Sequence, residues 1–221
     1  MLLAVDTSTT QMGLALYDGA QVLGEYAWRS GQRHTVELAP AVADLLTRCA
    51  VTMDAVKVIG VALGPGSFTS LRVGLALVKG LALARHIPLI GIPTLNILAH
   101  AQPVSELPLA VALQAGRGRY AMGWYQASSK QWQAQGEARV VTLEVMLAEA
   151  QSPLVMCGEF TDEIRQKIML NENIQLVSPA NSIRRPALLA ELAWKRWLNK
   201  DTDDAAALAP IYLHVAEPIG S

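Results

Sequence analysis

The sequence predicts an α/β protein in which mixed sheets are flanked by helices. Three observations carry that expectation. Short apolar, β-branched runs alternate with segments whose apolar residues recur at helical spacing. Turn residues (Gly, Pro, Asp) mark the joints between them. The 221 residues are 52% hydrophobic and only 17% charged, enough to bury one large domain or two smaller lobes.

Leu2 to Val5 reads as a buried strand that ends at Asp6 and a hydroxyl run, Thr7, Ser8, Thr9 and Thr10. Gly13 to Tyr17 and Val22 to Trp28 are strands joined by an Asp18-Gly19 hairpin turn. After a polar loop, Leu38, Ala41, Val42, Leu45, Leu46 and Cys49 fall on one face of a helix running from Thr35 to Ala50. A short polar helix around Met53 to Val56 precedes a strand from Val58 to Leu63. Another strand, Pro88 to Ile92, leads to Pro93, which opens a helix to about Ala101.

Gln102 to Pro108 carries two prolines and is the expected hinge, dividing residues 1–103 from 104–221. Beyond it, Leu109 to Leu113, Tyr120 to Tyr125, Gln131 to Val141, Leu154 to Cys157 and Ile174 to Val177 read as strands. Trp132 is expected to pack. Helices start at Thr142, at Thr161 and at Pro186, the last running to Leu198. Arg184-Arg185 is a basic pair expected to face solvent.

Leu63 to Ala84 organises the rest: L-G-P-G-S-F-T-S-L-R-V-G-L-A-L-V-K-G-L-A-L-A. Gly64-Pro65-Gly66 makes a sharp turn, and Ser67, Thr69 and Ser70 are candidate caps for a helix from Ser70 to Arg85. That helix is apolar almost all round, so more than one side must be covered. Ala76, Gly80 and Ala84 form a row of small residues that admits a second backbone. A strand, a glycine turn and a helix start can hold phosphate, but no Lys follows Gly66, so this is not the G-x-x-x-x-G-K-[ST] loop. A tight connection and a phosphate site both remain open here.

Charge and cysteine content narrow the classes. A net charge of −1 lacks the basic excess of a protein that grips RNA alone. Cys49 and Cys157 have no ligand-like spacing and read as reduced core residues of a cytoplasmic protein. No basic, apolar leader and no run long enough to span a bilayer are expected.

V-A-L-G-P-G-S-F-T-S-L-R-V-G, with the opening L-L-A-V-D-T-S-T-T and the later P-I-Y-L, resembles the TsaB (YeaZ) family. The likeness covers roughly the first hundred residues well and the rest loosely. It implies a two-lobe actin-like ATPase (ASKHA) fold, with partner-binding helices in lobe 1–103 and a diverged lobe 104–221. It also implies a cytoplasmic, non-catalytic subunit for threonylcarbamoyladenosine (t6A) modification of adenosine 37 in tRNAs reading codons that begin with A. The partners implied are a TsaD-like catalytic subunit and a TsaE-like ATPase, with a homodimer when the chain is alone and tRNA met only indirectly.

Leu38, Val42, Leu45, Leu71, Gly74, Val78 and Leu81 are the expected partner-binding face, with Gly74, Val78 and Leu81 the first choice for its outward side. Asp6, Thr7, Ser8, Gly64 and Gly66 are the positions of a residual nucleotide site. The chain needs no cofactor by itself, and ATP or ADP is expected only weakly or in the complex. No catalytic residue and no metal ligand are assigned. The H-x-x-x-H of TsaD-like proteins falls on Thr94 and Leu98, and His100 is out of register. Gly158 alone is a poor floor for adenine, and Gln114 to Arg119 departs from the family's D-A-R-x-x-x-x-Y. The competing reading is an ATP-dependent kinase or phosphohydrolase of the actin-like superfamily. A metallohydrolase lacks ligands.

Overall fold

The computed structural model describes residues 1–31, 33–116 and 118–213. It forms two units. The first comprises residues 1–97 and 184–211, and the second residues 98–183 with the described residues from Tyr212. The expected single boundary at 103/104 is therefore corrected: the chain returns to the first unit near its end.

The first unit is built on strands β1 (Leu2–Asp6), β2 (Gln11–Tyr17), β3 (Val22–Arg29), β4 (Val58–Ala62) and β5 (Leu89–Ile92). They lie in the order β3-β2-β1-β4-β5, with the first three antiparallel and β1, β4 and β5 parallel. Side chains alternate across each strand. Leu3, Val5, Ile59 and Val61 share a core with helices α1 (His34–Arg48) and α2 (Phe68–Arg85). Leu2, Ala4 and Val58 share another with Leu189, Ala190 and Ala193 of the final helix, Pro186–Leu198. That second face is why the end of the chain returns: without the helix, apolar residues on one side of the sheet would face water.

The second unit repeats the pattern. After α3 (Thr94–His100) come β6 (Leu109–Gln114), β7 (Arg119–Ser128), β8 (Gln131–Ala134), β9 (Arg139–Thr142), α4 (Leu143–Ala148), β10 (Leu154–Gly158), α5 (Asp162–Met169) and β11 (Ile174–Leu176); the final helix, α6 (Pro186–Leu198), belongs to the first unit. The sheet order is β11-β10-β6-β7-β8, again with parallel pairing on one side and antiparallel on the other. The expected strand from Gln131 to Val141 is two strands, β8 and β9, both antiparallel to β7, because the chain leaves the sheet around Gly136, whose φ is +76°. Trp132 is buried, and its Nε1 donates to the Gln102 carbonyl at 3.1 Å.

The β7–β8 turn is made by Ser129 (φ 50°) and Lys130 (φ 63°), two left-handed non-glycine residues in a two-residue hairpin loop. Asn-Gly is the pair that such a turn favours. Ser129→Asn with Lys130→Gly is expected to raise stability by about 1 kcal/mol. The urea midpoint should move upward at constant slope; an unchanged or lower midpoint would refute it.

Candidate functional site

The turn between β1 and β2 carries Asp6, Thr7 and Ser8, three of the positions expected for a residual nucleotide site. Its polar side chains are buried and already engaged. Asp6 is 1% exposed and Arg184 2%. Arg184 Nε donates to Asp6 Oδ2 at 2.8 Å, and Asp6 Oδ1 accepts the Ser8 N–H at 2.8 Å. Arg184 Nη2 donates to Thr9 Oγ1 at 3.0 Å and to the Gln11 carbonyl at 2.9 Å. Thr7 Oγ1 donates to the Ser70 carbonyl at 2.8 Å, and the Ser8 hydroxyl pairs with Thr94 Oγ1 at 2.8 Å.

The glycine turn closes against the same residues. Gly64 N–H donates to Thr94 Oγ1 at 2.9 Å, and Thr94 N–H donates to the Gly64 carbonyl at 2.7 Å. Ser67 N–H donates to the Ser8 carbonyl at 2.7 Å. A Cβ on Gly66 would stand 2.1 Å from that carbonyl oxygen, so only glycine permits the approach. A Cβ on Gly74 would likewise stand 2.2 Å from Thr7 Oγ1.

This donor set does not fit a magnesium–phosphate ligand. The carboxylate that would face the cation holds a guanidinium, and Thr7 and Ser8 point into protein contacts. Asp6, Thr7, Ser8, Gly64 and Gly66, the positions expected for a residual nucleotide site, are joined here in a filled polar core. Thr94, at the first H-x-x-x-H position, is one of its linkers. The expectation that Arg184 faces solvent is corrected: only Arg185 is exposed, ion-paired with Glu25, whose other oxygen accepts the Ala187 N–H at 3.0 Å in the first turn of α6. No local signal marks Arg184, whose partner lies 178 positions away.

Helices α1 and α2 carry the second feature. The residues chosen from sequence as their partner face mostly point inward. Leu38, Val42, Leu45, Leu71, Gly74 and Val78 are all buried, Val78 at 0%, and Leu81 is half-buried. The outward choice is corrected for a physical reason: Leu38, Val42, Leu45 and Val78 share the core with Leu3, Val5, Ile59 and Val61, and Gly74 lies against Thr7. The side facing away from the sheet holds Val36, Ala39 and Ala43 on α1, and Phe68, Arg72, Ala76, Gly80 and Leu83 on α2. Phe68 is 53% and Leu83 80% exposed. Nothing lies within 4 Å of a Cβ placed on Gly80. Between the helices runs a groove of about 490 Å³, lined by His34, Leu38, Ala39, Phe68, Arg72 and Ala76 among others. The Arg72 guanidinium stacks 3.5 Å from the Phe68 ring centre.

A Cβ on Gly158 would meet the Ala112 carbonyl oxygen at 2.3 Å and the Phe160 ring, so its glycine serves close packing. In the β6–β7 turn, Ala115 N–H donates to the Arg119 carbonyl at 2.8 Å; Arg117 lies outside the described residues. Burial pushes the Cys157 thiol up to about 12, which leaves it unreactive near neutral pH. Among the described residues no group of three His, Cys, Asp or Glu is placed to hold a metal, and no helix is long and apolar enough to cross a membrane.

Two similarly wound units, each with antiparallel strands on one side of the sheet and parallel strands on the other, define an actin-like fold, here with a filled β1–β2 turn. The family model of TsaD, tRNA N6-adenosine threonylcarbamoyltransferase, matches residues 27–182. The tRNA threonylcarbamoyladenosine biosynthesis protein TsaB of Bacillus subtilis (strain 168) is 31% identical over 98% of this chain and 95% of its own length. YeaZ from Pseudomonas aeruginosa superposes with a TM-score of 0.75 at 25% identity, covering 96% of this chain and 99% of that one. Component A of (R)-2-hydroxyglutaryl-CoA dehydratase from Acidaminococcus fermentans shares the fold, with a TM-score of 0.53 at 12% identity over 88% and 98% of the two chains. The chain belongs to the TsaB (YeaZ) family.

Proposed function

We propose that this chain is a cytoplasmic, non-catalytic subunit of t6A biosynthesis. It binds and supports a TsaD-like catalytic subunit, together with a TsaE-like ATPase, in modifying adenosine 37 of tRNAs that read codons beginning with A. The names of its relatives support the pathway. The observation that carries the partner role is the outer side of α1 and α2, where small and apolar residues stand exposed beside a groove. Two helices of 15 and 18 residues can offer the roughly 800 Å² per partner that a specific interface needs.

The filled β1–β2 turn supports an absence of chemistry. A kinase or phosphohydrolase would need Asp6 free to meet a cation, and Arg184 holds it. The reading therefore assigns no cofactor to the chain by itself, with ATP or ADP bound weakly or only in the complex. In the absence of TsaD the same helical surface closes on a second copy, and tRNA is met through the partner. Size-exclusion chromatography of the chain mixed with a TsaD-like subunit tests the reading. Co-elution is expected, with t6A formation only when both are present. Separate elution, or steady ATP turnover by the chain alone, would overturn it.

A further inference from the structure

The geometry points to Arg184 and His34 as positioning residues that hold the partner surface in place through the β1–β2 turn. The inference rests on the partner-binding reading of α1 and α2. Residues 7 to 10 of the turn touch both helices. Thr7 donates to the Ser70 carbonyl and packs on Gly74, and the Ser8 carbonyl accepts the Ser67 N–H, so the first turn of α2 is fixed from here. On the other side, His34 Nε2 lies 2.8 Å from the Thr9 carbonyl. A carbonyl only accepts, so Nε2 carries the proton. The Ser30 N–H donates to the Thr10 carbonyl at 2.8 Å, and Ser30 Oγ accepts the Arg33 N–H at 3.1 Å.

Helix α1 has no side-chain cap of its own at Arg33. Its start is thus held by bonds to Thr9 and, through Ser30, to Thr10. The turn in its own right is a short loop, and loops between strands are mobile unless tied. What ties it is Arg184, which bonds Asp6 at one end of the turn and Thr9 and Gln11 at the other. Arg184 immediately precedes α6, whose first turn is itself held by Glu25 of β3. A guanidinium with donors in a rigid fork can span these acceptors, which an ammonium cannot. A binding surface needs its supporting shell locked in this way to keep its geometry. A turn of the kind that elsewhere faces a ligand here serves as the footing of two helices, with an arginine of the same chain as its cation.

Three variants test this: Asp6→Leu/Arg184→Met, which removes the buried pair without stranding a charge, His34→Leu, and His34→Gln, which keeps a donor. Amide hydrogen exchange and affinity for the TsaD-like subunit are read for each. The double variant is expected to exchange about tenfold faster at residues 34–38 and 67–71, and to bind about tenfold more weakly, while staying folded. His34→Leu should show the same at residues 34–38 alone, and His34→Gln should restore both readouts. Unchanged exchange in a folded double variant overturns the role of Arg184. Unchanged exchange in His34→Leu, or faster exchange with undiminished affinity, overturns the positioning of the surface. Should the double variant fail to fold, the His34 pair decides. Exchange is read without the partner, so a failure of the partner-binding reading leaves that arm intact and is recognised by the separate failure of the wild-type chain to co-elute.

Discussion

Val78→Glu is expected to unfold the protein, and Ala76→Glu, two residues away, to leave it folded but unable to bind its partner. Val78 is fully buried against the sheet with Leu3, Val5 and Ile59. Its loss as an apolar group costs about 2 kcal/mol. A glutamate there must stay neutral, and holding it protonated at pH 7, about 2.7 units above its ordinary value, costs about 4 kcal/mol more. The sum, about 6 kcal/mol, is comparable to the whole stability of an ordinary domain. The sign follows from burial. Burial raises the folded-state value of this carboxyl, so the penalty is absent below the ordinary glutamate range and grows as pH rises through it. Val78→Glu should therefore be nearest to native at about pH 4.

Ala76 points away from the sheet, where a substitution moves stability by no more than about 0.5 kcal/mol. In a closed interface the same charge is taken out of water beside apolar and small residues, which costs about 3 kcal/mol or more and weakens binding at least about a hundredfold. Circular dichroism and co-elution with the TsaD-like subunit read both effects. A folded Val78→Glu protein would show that α2 does not pack as described, and undiminished binding by Ala76→Glu would remove the α2 face from the interface.

The sequence was most legible where an apolar run is short and bounded by turn residues, or where one face of a helix is buried and the other is not. Short apolar, β-branched runs located β1 to β7, β10 and β11 within a few residues, because strands such as β1, β4 and β5 are buried on both faces and read as unbroken apolar stretches. Helix α1 was equally plain, and Leu38, Val42 and Leu45 stand on its buried side. Helix α2 was located but not oriented. It carries Val73, Leu77 and Leu83 as well as Leu71, Leu75 and Val78, so apolar character surrounds it and periodicity cannot say which side meets the sheet. The small row at Ala76, Gly80 and Ala84 was the better guide, since all three are exposed.

The turn at Asp6 was found by its composition, but its state was not readable. Whether a carboxylate faces a ligand or an internal cation depends on a residue that arrives from 178 positions later, and an arginine beside Pro186 looks like any solvated charge. The second-unit hairpins failed for a related reason: β8 and β9 read as one strand because nothing but Gly136 marks their separation.

Asp6→Ala is expected to be among the most destabilising single truncations in the first unit, and to act through Arg184. Removing the carboxylate leaves a guanidinium that is 2% exposed without its ionic partner. Breaking a buried pair in this way costs about 3–5 kcal/mol, because a buried guanidinium loses a carboxylate that solvent does not replace. Arginine cannot relieve the cost by losing its proton near neutral pH. The Ser8 N–H also loses its acceptor at Asp6 Oδ1. For a chain of this length, each kcal/mol lowers the melting temperature by about 2–4 °C, so a fall of about 6–20 °C is expected. The Asp6→Leu/Arg184→Met protein should melt well above Asp6→Ala, since replacing both charges by apolar groups leaves no charge stranded, and the loss of the Ser8 acceptor is common to the two. Differential scanning calorimetry of the two decides it. If Asp6→Ala melts with the wild type, the pair contributes no net stability and the turn is held by its hydroxyl bonds alone. The comparison also guards against a misreading: any activity lost in Asp6→Ala is first to be ascribed to this fall in stability, and a catalytic role for Asp6 would require the loss to persist in a variant that melts normally.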